Sequence, residues 1–198
     1  FSFYYGHHMT TIEGGMVCTN DKDIYEKLLL LRSHGLLREL PEESQKSYKK
    51  VNKNFTFITP GFNVRSCELN AYLGLLQLKN LDKHNKVRQD NFLRFAENLD
   101  CSKYFNNFKV EGNSSFCFPV ITKNKDQKDV LLEKLNKEGI ETRPVIAGNL
   151  YNHPFISGVV DQNVDDKANY VHENGFYVGN NHNITLKDVD WLLKLLNE

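Results

Sequence analysis

Residues 1–15 read FSFYYGHHMTTIEGG and concentrate hydroxyl, imidazole and glycine residues in one short segment. Ser2 offers a hydroxyl that can donate a hydrogen bond to a phosphate oxygen. The pair His7-His8 can accept or donate a proton near neutral pH. The two glycines that end the segment favour a tight turn, because glycine reaches positive φ without steric cost. These residues alone predict a loop with a candidate acid or base, followed by a buried strand over Met16–Thr19.

The spacing of these residues resembles the cofactor loop of the sugar aminotransferase family of vitamin B6 enzymes, Ser-Phe-x-x-x-Lys-x-x-Thr-Thr-x-Glu-Gly-Gly. The resemblance implies an α/β fold, that of the pyridoxal-phosphate-dependent transferases of fold type I. It covers essentially all 198 residues and implies that they form about the C-terminal half of such an enzyme. It also implies two domains, residues 1–90 as the C-terminal part of the cofactor-binding large domain and residues 91–198 as a small α+β C-terminal domain.

One position departs from the aminotransferase pattern. Where those enzymes have the Lys that binds pyridoxal phosphate as a Schiff base, this chain has His7, which resembles the deoxygenating members of the family. An imidazole forms no imine, so the resemblance implies non-covalent pyridoxal 5'-phosphate or pyridoxamine 5'-phosphate. The imidazole can still move a proton as a general base. His7 is therefore the candidate catalytic residue, and Ser2 and His7 are candidate cofactor-binding residues.

A second motif follows the first predicted helix. The segment Arg32-Ser-His34-Gly35 resembles the Arg-x-His-Gly of the family, which approaches the active site. His34 and Arg38 are thus candidate substrate-binding residues, and a guanidinium suits a nucleotide phosphate. The alternative is that these cations only complement the partial negative charge at the end of a helix.

Asn63 lies in the segment Gly61-Phe-Asn-Val-Arg65, which resembles the family motif Gly-x-Asn-x-Arg. In the family this Asn reaches the cofactor phosphate of the neighbouring subunit, and its amide is a suitable donor. Asn63 is thus a candidate cofactor-binding residue, and the resemblance implies a homodimer with shared active sites. The alternative is a plain turn, for which Pro followed by Gly is a common signal. Small Ala71 and Gly74 on the following helix predict close packing at the dimer interface.

A third motif, Gly139-Ile-Glu-Thr-Arg143-Pro144, closely resembles the deoxygenating members of the family. An Arg at a strand end beside Pro can bind a carboxylate or phosphate through two parallel hydrogen bonds. Arg143 is therefore the candidate for binding the glutamate co-substrate or the sugar nucleotide. The alternative is an Arg that is exposed to solvent at the edge of a sheet.

Composition restricts the function further. Lys and Arg together number 25, as do Asp and Glu, so nothing favours nucleic acid or a membrane surface as partner. The four Cys form no C-x-x-C motif, which predicts no disulfide framework and fits a reducing cytoplasm. No apolar run reaches the length of a membrane span. No further ligand stands at zinc-like spacing from the paired histidines, so no metal site is predicted.

The resemblance implies an enzyme that removes the C3 hydroxyl of a nucleotide-linked 4-keto-6-deoxyhexose. Glutamate would be the amino donor, and the product would enter lipopolysaccharide O-antigen synthesis. Three alternatives stay open. A sugar-nucleotide aminotransferase of the perosamine-synthase type would need Lys at position 7, and a CDP-hexose 3-dehydrase would need an iron–sulfur Cys cluster that residues 39–46 lack. The third alternative is a non-catalytic, dimeric binding or scaffold protein that has lost the Lys and catalyses no reaction.

Periodicity and capping residues predict the secondary structure. Helices are expected at 22–32, 67–77, 84–99, 126–138, 165–173 and 186–196, and strands at 114–121, 140–146 and 176–178. Ser66 is the expected cap of the second helix, and Thr185 with Asp188 is expected to form a capping box for the last one. Residues 39–56 are polar and predict an exposed loop.

Overall fold

The chain forms two compact units, Phe1–Lys79 and Asn80–Glu198, each defined by the contacts among its own residues. The computed structural model describes residues 1–156 and 166–198. The predicted family domains, with their boundary after residue 90, concern the whole enzyme and stay a prediction.

The helices of the N-terminal unit are α1 over Lys22–Arg32, α2 over Glu42–Gln45, α3 over Glu68–Leu78 and a 3-10 turn over Leu37–Glu39. Helix α1 begins as predicted, because the carboxylate of Asp21 accepts a hydrogen bond from the N–H of Ile24 at 2.9 Å. The prediction of Ser66 as the cap of α3 is wrong. Cys67 is the cap, and the side-chain oxygen of Asn70 accepts from its N–H at 3.4 Å.

Two other predictions for this unit are wrong. Met16–Thr19 forms no strand, and Val17 is 70% exposed. A strand needs a neighbour that pairs with its N–H and C=O groups, and the N-terminal unit, which is described in full, supplies none beyond Met16. Residues 39–56 are not a continuous exposed loop, because they contain α2 and the buried side chain of Leu40.

The C-terminal unit contains an antiparallel sheet in the order β1-β3-β2. The strands are β1 over Cys117–Ile121, β2 over Thr142–Pro144 and β3 over Gly175–Gly179. The helices are α4 over Leu81–Asn98, α5 over Lys125–Lys137, α6 over Asp166–Asn174 and α7 over Leu186–Asn197, with 3-10 turns over Leu150–Asn152 and Pro154–Ile156. None of the helices in the described ranges has both the length and the apolar character that a membrane crossing requires.

An apolar cluster of side chains from β1, β3, α4, α5 and α7 forms the core of this unit. Helix α7 shows why the sequence folds this way, since its buried residues recur at the spacing of one helix face: Val189, Leu192, Leu193 and Leu196. In strand β1 every second side chain faces the core, so Phe118 and Val120 are buried and their neighbours are half-buried. The predicted capping box is confirmed, because Thr185 and Asp188 exchange hydrogen bonds at the start of α7.

The other predicted helices and strands agree with the structure to within three residues at each end. The strand predicted over 140–146 shrinks to β2, because the chain turns directly after it. Ile146 has φ +46, and the N–H of Gly148 donates to the carbonyl of Val145 at 2.8 Å. The first residue of the helix predicted over 165–173 lies outside the described residues.

The core of this unit contains a buried tyrosine, Tyr104, whose hydroxyl is hydrogen-bonded. The hydroxyl of Tyr104 donates to the carbonyl oxygen of Leu196 at 2.6 Å. Burial, together with the carboxylate of Asp100, raises the pKa of Tyr104 to about 12. Since the folded state holds this proton more tightly than the unfolded chain, its stabilising effect is complete below the ordinary tyrosine pKa of about 10. That effect is lost as the pH rises through the folded pKa.

We expect Tyr104→Phe to lower the free energy of unfolding by about 1–3 kcal/mol at neutral pH, because the carbonyl of Leu196 loses its donor. Between about pH 10 and pH 12 we expect the variant to lose less stability than the parent. Urea unfolding across this range measures both effects, with Tyr25→Phe, a change at an exposed tyrosine, as the control. Equal losses in parent and variant over that range would contradict the raised pKa.

Candidate active site

The first fifteen residues fold back on themselves as a closed loop. The N–H of Phe3 donates to the carbonyl of Gly14 at 2.9 Å, and the N–H of Thr11 donates to the carbonyl of Phe3 at 2.9 Å. Ser2 and Gly15 form a β-bridge at the open end. The motif that resembles a cofactor loop is therefore a single local unit.

Ser2 and His7, the predicted cofactor-binding residues, both contact Tyr4. The N–H of Tyr4 donates to Ser2 Oγ at 3.3 Å, and the N–H of His7 donates to the carbonyl of Tyr4 at 3.1 Å. The rings of Tyr4 and His7 meet edge to face, with centroids 6.2 Å apart. Since the Ser2 oxygen accepts in this contact, its O–H hydrogen can still donate to a phosphate. The half-buried imidazole of His7 fits a role in proton transfer to a cofactor that is held without a covalent bond.

His34 and Asn63 lie next to each other on two paired segments. The N–H of His34 donates to the carbonyl of Phe62 at 2.7 Å, and Ser33 forms a β-bridge with Asn63. His34 follows α1 in a left-handed conformation with φ +59. The structure thus brings these two predicted site residues together, His34 half-buried and Asn63 exposed.

Close backbone contact holds this pair of segments. Gly35 has φ +76, and a Cβ there would lie 1.7 Å from the carbonyl oxygen of Thr59. A Cβ on Gly61 would lie 2.6 Å from the backbone nitrogen of Gly35. Ser33 beside them is fully buried, and its hydroxyl oxygen has no partner among the described residues. The contact therefore requires glycine on both segments.

Arg38 lies on the 3-10 turn that follows Gly35, in the same unit. Its Nη1 donates to the carbonyl oxygen of Asn54 at 3.2 Å, and its Nε lies 3.7 Å from the carboxylate of Glu39. That carboxylate also lies 3.5 Å from the guanidinium of Arg32. Two guanidiniums share one carboxylate, so the group stays net positive and suits an anionic ligand.

Arg143 lies in β2 of the C-terminal unit. Its Nε donates to Oε1 of Glu141 at 2.9 Å, and its Nη2 contacts the same oxygen. The two side chains project to the same side because they are two residues apart in extended backbone. The guanidinium thus already binds a carboxylate, and this carboxylate belongs to the same sequence motif.

The structure also contains a cluster of two histidines and a buried arginine that the sequence did not indicate. In the C-terminal unit the rings of His84 and His182 stack with centroids 3.7 Å apart. Arg88, one turn further along α4, is 4% exposed, and its Nε and Nη1 have no partner among the described residues. Burial, and then the charges of His84 and Arg88, lowers the pKa of His182. In the ranges 1–156 and 166–198, no group of three or more His, Cys, Asp or Glu side chains could hold a metal ion.

Two amides of α3 contact the first loop and were not singled out from the sequence. Asn70 Nδ2 donates to the carbonyl of Thr11, and Gln77 Nε2 donates to the carbonyl of Thr10, each at 2.6 Å. Their separation of seven residues was the available signal, because it places two polar side chains on one face of an otherwise apolar helix.

The chain is similar to a known protein family over almost its whole length. A model of the DegT/DnrJ/EryC1/StrS aminotransferase family matches residues 1–196. The chain is 38% identical over 208 residues to the GDP-4-keto-6-deoxy-D-mannose 3-dehydratase of Escherichia coli O55:H7, over 99% of this chain and 53% of that protein. The chain spans about half the length of the curated relatives that it matches first.

Solved structures show the same likeness. The structure of Escherichia coli GDP-4-keto-6-deoxy-D-mannose-3-dehydratase with bound hydrated PLP has a TM-score of 0.88 and 33% identity, over 99% of this chain and 53% of that one. A mutant GDP-4-keto-6-deoxymannose-3-dehydratase with bound GDP-perosamine has a TM-score of 0.87 and 36% identity, over the same shares. The predicted fold class, an α/β fold of the pyridoxal-phosphate-dependent transferases, is confirmed.

The paired segments around Gly35 make a testable contact. We expect Gly35→Ala to lower the free energy of unfolding by at least about 4 kcal/mol, because its Cβ would overlap the carbonyl of Thr59. Gly112→Ala is the matched control, since Gly112 has φ +69 with nothing within 4 Å of an added Cβ. The control should cost only about 1–2 kcal/mol, which is the price of a left-handed residue with a side chain. Urea unfolding measures both changes, and equal costs would show that Thr59 moves aside.

Proposed function

Because the chain belongs to the DegT/DnrJ/EryC1/StrS aminotransferase family, we propose that the whole protein is a pyridoxal-phosphate-dependent sugar-nucleotide 3-dehydratase. The observation that carries the proposal is the imidazole of His7 at the position where the aminotransferases have Lys. The relative from Escherichia coli O55:H7, a GDP-4-keto-6-deoxy-D-mannose 3-dehydratase, supports the class of substrate. The proposed product is a nucleotide-linked 4-keto-3,6-dideoxy sugar, released together with ammonia.

In this chain Ser2 and His7 are the residues proposed to hold the cofactor. When bound, its pyridoxamine form supplies a primary amine for the C4 ketone and a conjugated ring that accepts the electrons of the elimination. The Ser2 hydroxyl has a hydrogen available for a phosphate oxygen, because its own oxygen accepts from Tyr4. The relative that binds hydrated PLP supports this choice of cofactor.

His7 is the proposed general base. Its imidazole takes a proton from the C4′ carbon of the cofactor while the C3 hydroxyl of the sugar leaves. The hydrogen bond from the backbone N–H of His7 to the carbonyl of Tyr4 and the edge-to-face contact with the Tyr4 ring restrict where the imidazole can point. An imidazole forms no covalent bond to the cofactor, which favours elimination over transfer of the amino group to the sugar.

His34, Arg38 and Arg143 are proposed to bind the substrates. The net positive group formed by Arg32, Arg38 and Glu39 supports recognition of a nucleotide phosphate. The relative with bound GDP-perosamine is consistent with a GDP-linked sugar. The hydrogen bonds that Arg143 makes to Glu141 support a role in binding the carboxylate of glutamate, which would compete with that side chain.

The proposed active form is a homodimer in which Asn63 contributes to the cofactor site of the partner. The exposure of Asn63 is compatible with this role. A row of apolar side chains on α3 also supports a partner surface, since they are 43–75% exposed: Leu69, Tyr72, Leu75, Leu76 and Leu78. Gly74 is predicted to pack closely at the dimer interface. Within its own chain it packs closely against Thr11, because a Cβ on Gly74 would lie 3.1 Å from Cγ2 of Thr11.

Replacement of His7 tests the proposed reaction. We expect the whole protein, with pyridoxal phosphate, glutamate and GDP-4-keto-6-deoxymannose, to release ammonia and a deoxygenated sugar nucleotide. We expect His7→Asn to reduce the rate of both by about 10²–10⁴-fold, because the amide cannot act as a base. Coupled ammonia detection and mass spectrometry of the sugar nucleotide measure the two products.

His8→Asn is the matched control, because it makes the same change at the adjacent residue. It should keep most of the activity. An aminated sugar in place of the deoxygenated one would replace the proposal with an aminotransferase. Failure to bind pyridoxal phosphate would favour a non-catalytic scaffold.

Mixed dimers test the shared active site. A dimer of one His7→Asn chain and one Asn63→Ala chain would hold one intact site if Asn63 acts on its partner, and no intact site if it acts on its own chain. Co-expression of the two inactive variants should therefore restore roughly a quarter of the parent activity, because about half of the dimers are mixed. Activity no higher than that of the separate variants would refute the shared site.

A further inference from the structure

Helix α3 presents two amide side chains, Asn70 and Gln77, to the loop that contains His7. Gln77 pairs with both main-chain groups of one residue. Its Oε1 accepts from the N–H of Thr10 at 3.0 Å, and its Nε2 donates to the carbonyl of Thr10 at 2.6 Å. This reciprocal pair fixes the position of Thr10, three residues after His7.

Asn70 holds the next part of the loop and has a defined orientation. Its Nδ2 donates to the carbonyls of Thr11 at 2.6 Å and Glu13 at 3.2 Å. Its Oδ1 accepts from the N–H and the Sγ of Cys67 at the start of α3. Each half of the amide thus has its own partners, so one side chain connects the helix cap to the loop.

The loop also approaches α3 closely between the two amides. A Cβ on Gly74 would lie 3.1 Å from Cγ2 of Thr11, whose side chain is buried. Ile12, the next residue, has φ +73 although it is β-branched. Such a conformation is disfavoured and persists only where the surrounding contacts impose it. The hydrogen bonds from Asn70 to either side of Ile12 are such contacts.

These contacts determine where His7 lies. The N–H of Thr11 closes the loop onto the carbonyl of Phe3, and His7 lies between these two residues. The C-terminal end of the segment that contains His7 is therefore attached to α3 through Thr10 and Thr11. Its N-terminal end is held as well, because the carbonyl of Phe3 accepts from the N–H of Thr11.

We propose that Asn70 and Gln77 are positioning residues for His7, which they hold by hydrogen-bonding the backbone of residues 10–13. The proposal rests on the proposed role of His7 in proton transfer. Proton transfer requires the imidazole within hydrogen-bond reach of its carbon, so a loosened loop reduces the rate while the binding of substrate is retained.

Two isosteric variants of the whole protein test the proposal. Asn70→Asp keeps an acceptor for the N–H of Cys67, and Gln77→Glu keeps one for the N–H of Thr10. Both lose the donor and place a carboxylate against carbonyl oxygens of the loop. Gln127→Glu in α5 is the matched control, because within residues 1–156 and 166–198 the side chain of Gln127 acts as an acceptor alone, from the N–H of Lys123 at 3.2 Å.

Backbone hydrogen exchange, followed by mass spectrometry, reports the loop directly and needs no substrate. We expect exchange in residues 1–15 to accelerate at least about tenfold in Asn70→Asp and Gln77→Glu, and to stay at the parent rate in Gln127→Glu. In the dehydration assay we expect kcat to fall about tenfold or more, with KM for the sugar nucleotide within about twofold of the parent.

Parent-like exchange in residues 1–15 would overturn the proposal, and so would faster exchange with an unchanged kcat. A parent without dehydration activity, or a His7→Asn variant that retains it, would instead refute the proposed function. In that case the exchange rates still decide whether the two amides hold the loop.

Discussion

The N-terminal unit depends on one constraint: the N–H and C=O groups of its irregular backbone need hydrogen-bond partners. This unit, described in full, has isolated β-bridges and no strand ladder, so its N–H and C=O groups find partners one at a time. The first loop uses the amides of Asn70 and Gln77. The segment after α1 uses main-chain bonds to residues 56–64 at a distance that only glycine at position 35 allows. The geometry of the candidate site therefore depends on a few specific contacts.

The C-terminal unit is held in a different way. Its sheet and helices share an apolar core, and buried amides satisfy backbone that would otherwise be unpaired. Asn180 donates to the carbonyls of Arg88 and Ser115, and Asn91 donates to the carbonyl of Ile184. Arg143 is exposed on β2, at the edge of this sheet, beside its partner Glu141. In the proposed function a substrate carboxylate exchanges with this surface ion pair, which costs little because such pairs are weak.

One side chain changes the proposed chemistry without changing the fold. Main-chain hydrogen bonds and hydrogen bonds from the amides of α3 close the first loop, and within it the backbone N–H of His7 donates to the carbonyl of Tyr4. These backbone bonds do not depend on which side chain stands at position 7. This explains how a chain with a TM-score of 0.88 to a dehydratase can belong to a family named for its aminotransferases. The proposed chemistry resides in the imidazole, which cannot form an imine.

The sequence by itself determined the features whose signals are local. The caps of α1 and α7, the periodicity of the core helices and the motif around His7 involve residues within a few positions of one another. Three other features depend on which distant segments meet. Only the tertiary structure shows that Met16–Thr19 has no strand beside it, that Asn70 and Gln77 reach a loop some sixty residues earlier, and that Arg143 already holds a carboxylate. Spacing along the chain can show that Asn70 and Gln77 share a helix face, but it does not identify the distant segment that this face contacts.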